Sequence, residues 1–72
     1  MFKLRFPVKE GPGEFRITTR QIQAATLDEA FEAAEKLALE MLTSIHIVQG
    51  PGKIVAQVGY AYATHSTTRR VI

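Results

Sequence analysis

Only one stretch of the chain repeats its apolar residues at spacings of three and four: Leu27, Ala30, Phe31, Ala34, Leu37, Ala38, Met41 and Leu42. That spacing lays a single apolar stripe along a helix, and these residue types are good helix formers. Thr26-Leu27-Asp28-Glu29 has the form of a capping box, with a threonine hydroxyl that accepts from the first turn and a glutamate that reaches back. The opposite side carries Asp28, Glu29, Glu32, Glu35, Lys36 and Glu40. Two acids at the start suit the helix dipole, and Glu32 stands four residues before Lys36 in the favourable order. A helix near residues 27–42 is therefore expected. A chain of 72 residues holds one domain, 1–72, so whatever packs against this stripe comes from the flanking segments.

Those segments alternate instead. Phe2, Leu4, Phe6 and Val8 take one side of a strand, and Lys3, Arg5, Pro7 and Lys9 the other. Such a strand is half buried with a wet, cationic face. Pro7 cannot donate to a ladder, which suggests an edge or a strand end. Glu10-Gly11-Pro12-Gly13 reads as a turn. A second strand near 14–24 would place Phe15 and Ile17 inward and Arg16, Thr18 and Arg20 outward. Ile22 and Ala24 break that phase. Either a bulge near Thr19 to Gln21 restores it or the strand ends near Thr19. Ile45, Ile47 and Val48 predict a strand near 44–49, closed by Gly50-Pro51-Gly52. A fourth strand near 53–63 has apolar or small residues on both sides, which suits a central position. Thr67, Arg69 and Val71 either add a short fifth strand or lie in a loose tail.

The expected fold is α+β in two layers: a four-stranded sheet, or a five-stranded one, antiparallel or mixed, with one helix on one face in the order ββαββ. Its expected core holds Phe2, Leu4, Phe6, Phe15, Ile17, Phe31, Leu37, Ile45, Ile47 and Val58.

Several function classes lose support at once. Cysteine is absent, which removes disulfides, thiolate zinc sites and a cysteine nucleophile. His46 and His65 are the only histidines, and with the carboxylates concentrated on the helix they do not suggest a metal site. Gly50-Pro51-Gly52-Lys53 lacks the spacing and the following helix of a phosphate loop, so it reads as a turn. Ser44 and Ser66 have no evident base and orienting partner, and Glu29, Glu32 and Glu35 lie on a solvated helix face. An enzyme is not expected, nor a cofactor. Apolar runs are too short for a membrane span and the N-terminus lacks the apolar stretch of a signal peptide, so a cytoplasmic protein without membrane contact is expected.

Charge is the most informative remainder. Residues 1–25 sum to +3, residues 26–42 to −4 and residues 43–72 to +3. Lys3, Arg5, Arg16 and Arg20 are expected to project together from the first hairpin and to face an anionic partner. Tyr60 and Tyr62 share one side of the fourth strand. On an open face beside Arg16 and Arg20 they would form a stacking platform, with Arg69 and Arg70 adding charge. The plainer alternatives are that the charges only solubilise the exterior and that the tyrosine rings pack in the core.

Two resemblances add expectations. Thr18-Thr19 through Ala24-Ala25-Thr26 and Phe31 looks like the corresponding stretch of the immunoglobulin-binding domain of protein G; what is carried over from that likeness is the topology alone, two hairpins around one helix. The stretch Gln21-Ile22-Gln23-Ala24-Ala25-Thr26-Leu27-Asp28-Glu29-Ala30 leads a strand into a capped helix and then a hairpin. This arrangement is similar to many very small phage and mobile-element proteins, some of them anti-CRISPR proteins that occupy the nucleic-acid path of a host effector. That resemblance implies a stoichiometric inhibitor without a cofactor, bound to a larger host protein or nucleoprotein complex. Two other readings stand beside it: a direct nucleic-acid binder using the basic sheet face, and a subunit of a homodimer or larger homo-oligomer joined edge to edge.

Overall fold

The capping box forms as the residue pattern requires. In the computed structural model, which describes residues 1–72, Thr26 is extended and its Oγ1 accepts from the Glu29 amide at 3.2 Å. Glu29 Oε1 accepts in return from the amides of Thr26 and Ala25, at 3.2 and 2.8 Å. Three of the amide donors around the helix start thus find partners at once. Helix α1 runs Leu27–Met41 and stops at Leu42, which takes the left-handed conformation with φ of 57°.

Five strands make one sheet: β1 (Phe2–Gly11), β2 (Glu14–Ile22), β3 (Ile45–Gln49), β4 (Lys53–Ala61) and β5 (Ser66–Val71). Their spatial order is β2-β1-β3-β4-β5 and every neighbouring pair is antiparallel. The α+β expectation holds, and the ββαββ order gains a fifth strand. β4 is interior, as its two-sided apolar character suggested, because β5 covers its far edge.

Helix α1 covers one face of this sheet. Phe2, Leu4 and Phe6 of β1, Ile45 and Ile47 of β3, and Ala56 and Val58 of β4 meet Ala30, Phe31, Ala34, Leu37 and Ala38 in one buried cluster. Small residues at Ala30, Ala34 and Ala38, all fully buried, let the helix axis approach the strands closely.

Two expected core residues lie outside it. Phe15 is 66% exposed and Ile17 63% exposed. The reason is the register of the first hairpin. Phe2 stands opposite Ile22, Leu4 opposite Arg20, Phe6 opposite Thr18 and Val8 opposite Arg16, with no interruption between Ile22 and Phe15. Opposed residues share a face, so the even-numbered residues of β2 look toward the helix and the odd-numbered ones away. No bulge occurs near Thr19 to Gln21. The irregularities fall at Lys9/Gly11 and in β4, where Ile47 opposes Ala56 but Val48 opposes Ile54. That second bulge carries Ile54 to the side opposite Ala56 and Val58.

The β1–β3 ladder ends at Arg5 opposite His46, whereas β1 and β2 stay paired to Gly11 and Glu14. β1 is therefore an interior strand over its first half and has one neighbour over its second. Pro7 falls in the one-sided half, where its missing N–H costs no second ladder bond.

Candidate functional site

The helix leaves the other face of the sheet uncovered, and strand register decides what that face carries. Arg5 stands opposite Thr19 on one side and His46 on the other; His46 stands opposite Gln57, and Gln57 opposite Arg70. Thr19, Arg5, His46, Gln57 and Arg70 thus form one transverse row of hydrogen-bonding side chains across all five strands. With strands about 4.8 Å apart, Arg5 and Arg70 root about 14 Å from each other. Lys3 and Lys9 flank Arg5 along β1 on the same face. No aspartate or glutamate holds a paired position on this side, and none of Lys3, Arg5, Lys9 or Arg70 takes part in an ion pair. Phe15 and Ile17 project from β2 beside the cations of β1.

The expected quartet of Lys3, Arg5, Arg16 and Arg20 does not assemble. Lys3 and Arg5 are on the helix-free face, while Arg16 and Arg20 belong to the helix side of β2. Arg16 Nε lies 2.9 Å from Glu10 Oε1. The Arg20 guanidinium lies 5.6 Å from the centroid of the Phe6 ring, a cation–π contact over the rim of the core. Both are occupied locally.

Arg69 and Arg70 also part company. Arg70 joins the open row, but Arg69 turns toward the helix. Its Nη2 donates to Glu35 Oε1 at 2.9 Å, its Nε to Glu35 Oε2 at 3.2 Å and its Nη1 to Asp28 Oδ1 at 2.6 Å. The guanidinium also sits 5.1 Å from the centroid of Phe31. Hydrogen bonds to Glu35 first, and then to Asp28, hold its proton more firmly than that of an ordinary arginine. Arg69 is a clamp between β5 and α1, not a free binding group.

The tyrosines do not build a stacking platform. Tyr60 is on the helix side of β4, packed against the core, and its hydroxyl lies 2.8 Å from Nδ1 of His65 with the two rings edge to face. Tyr62, beyond the end of β4, is 79% exposed. Both are distant in strand order from Arg16 and Arg20, since β1 and β3 intervene. His65 is engaged with Tyr60, and nowhere do three or more histidine, aspartate or glutamate side chains converge as a metal site would need.

The residue pattern did not reveal His46, Gln57, Phe15 and Ile17 as members of the open face. The alternation of β1 already put Lys9 with Lys3 and Arg5. The apolar phase of Ile22, had it been extended backward without interruption, would have put Phe15 and Ile17 there too. His46 depends on the long-range register of β3 against β1, and Gln57 on the bulged register of the β3–β4 hairpin, neither of which alternation within one strand supplies.

No helix is long and apolar enough to cross a membrane. Comparison of the chain with protein-family models, with curated proteins and with solved structures returns no match.

Proposed function

We propose that this protein is a non-enzymatic binding module that docks stoichiometrically on a larger protein or nucleoprotein complex through the helix-free face of its sheet. One observation carries the reading: Lys3, Arg5, Lys9 and Arg70 share that face with no carboxylate in ion-pair contact, and exposed Phe15 and Ile17 stand on β2 beside the cations of β1. Solubility alone does not account for large apolar side chains placed among unpaired cations. A docking surface combines the two, with charge for steering and apolar anchors for affinity. Inhibition of a host nucleic-acid-handling complex, in the anti-CRISPR manner, is the use of such docking that the likeness of Gln21–Ala30 brings with it. Occupying a partner's surface requires no catalytic group and no cofactor.

The test is a pair of double charge reversals with opposite expectations. Lys3→Glu with Arg70→Glu should abolish retention of the partner from a host lysate at low salt, quantified by mass spectrometry. Arg16→Glu with Arg20→Glu changes the same net charge on the other face and should leave retention in place. Equal loss in both variants, or loss only in the second, contradicts the reading.

A further inference from the structure

A groove of about 580 Å³ opens on the helix-free face at the place where β3 ends beside β1. It exists because β3 begins only at Ile45 while the β1–β2 hairpin continues past Arg5, so the floor beside Pro7 has no third strand. Arg5, Pro7, Ile17, Ser44, His46 and Ile54 line it. Pro7 offers no amide on that stretch of β1, which argues against filling the gap with an added strand; recognition there must run through side chains.

We propose that this groove is a docking site for an acidic peptide segment with one bulky apolar side chain. The proposal rests on the docking role given above to the helix-free face, and it names the chemistry of the partner. Arg5 and His46 bring nitrogen donors to the groove and no carboxylate lines it, so an acidic residue on the partner is attracted and a basic one repelled. The accessible apolar lining is aliphatic, from Pro7, Ile17 and Ile54. Phe6 also reaches the wall but is only 2% exposed and presents no free ring face. Apart from the covered Phe6, the one aromatic ring in the groove wall is the His46 imidazole, and the exposed Phe15 lies outside the groove. The pocket is thus shaped for one aromatic or aliphatic side chain to fill rather than for a run of bases to stack along. Lys3 and Lys9 continue the attraction along β1 to either side of Arg5, matching acidic residues that flank the anchor.

The experiment uses the full chain and three fluorescein-labelled probes in anisotropy titrations: a short polyglutamate peptide with one central phenylalanine, the same peptide with serine in that place, and an oligothymidylate of matched charge. The phenylalanine peptide should bind at least about tenfold more tightly than the serine peptide, the discrimination expected for burying one large apolar side chain. Ile17→Asp should erase that preference, and Arg5→Ala should weaken both peptides. Ile17 is 63% exposed, so its replacement should leave the thermal transition in place; should Ile17→Asp unfold, Ile17→Ser serves the same purpose. Equal affinity for the two peptides, still lost in the Lys3→Glu/Arg70→Glu variant, overturns the groove while leaving the face in its docking role. Binding of the oligothymidylate with neither peptide bound overturns both. Binding of none of the three overturns the groove, and the lysate experiment then decides the face independently.

Discussion

Phe6 and Phe15 belong to one hairpin and point to opposite sides of the sheet: Phe6 is 2% exposed under the helix, and Phe15 is 66% exposed on the uncovered face. The same side chain thus does two different jobs a few residues apart. Phe6→Ala should cost about 3–5 kcal/mol, a large share of the stability of so small a domain. Phe15→Ala should change stability by no more than about 0.5 kcal/mol. Urea denaturation of the two variants checks this, and comparable losses would place Phe15 in the core after all.

Arg69 joins the last strand to the helix through Glu35 and Asp28. Arg69→Lys should lower the melting temperature almost as far as Arg69→Met, since a lysine ammonium cannot form the two-oxygen fork on Glu35 and reach Asp28 as well. Differential scanning calorimetry decides. Full rescue by lysine would mean that charge alone, rather than the fork geometry, holds β5 in place.

Thr26→Ala removes the hydroxyl that accepts from the Glu29 amide. A loss of about 1 kcal/mol is expected, and amide exchange should accelerate first in the opening turn of α1. Unaltered exchange at Glu29 would show that the box contributes nothing to the helix start.

Much of this architecture was readable along the chain. The helix, its cap and the alternating β1 announce themselves through local periodicity, and the observed helix ends one residue before the expected limit. β2 was harder, because its outward Phe15 and Ile17 look like core residues to any rule that sends large apolar groups inside. They are outside because Phe2 opposite Ile22 sets the register of the whole ladder. The site was half readable for the same reason. Lys3 and Arg5 follow from alternation in one strand, but their company depends on the pairing of Arg5 with His46, between segments far apart in sequence, and on the registers of the β3–β4 and β4–β5 hairpins that carry the row on to Gln57 and Arg70. Arg16 and Arg20 looked equivalent to them only while the second strand's phase was taken from Phe15.

Ionic strength gives a further expectation for the face. Binding through Lys3, Arg5, Lys9 and Arg70 should slow in association as salt rises, because exposed charges are screened beyond about 8 Å at physiological ionic strength. Apolar contacts at Phe15 and Ile17 should leave dissociation less affected. Surface plasmon resonance with the acidic phenylalanine peptide separates the two rates. A salt effect confined to dissociation would contradict electrostatic steering by this face.

Which face of the sheet meets the partner decides whether the open row of cations is the working surface. Titration of the nitrogen-15-labelled protein with the acidic phenylalanine peptide, followed by amide chemical shifts, reads that face residue by residue. The predicted result is a contiguous set of perturbed amides spanning Lys3, Arg5, Ile17, His46 and Gln57, with α1 from Glu32 to Glu40 unmoved. Perturbations gathered instead on α1 and around Arg16 and Arg20 would contradict it and move the working surface to the other side of the molecule.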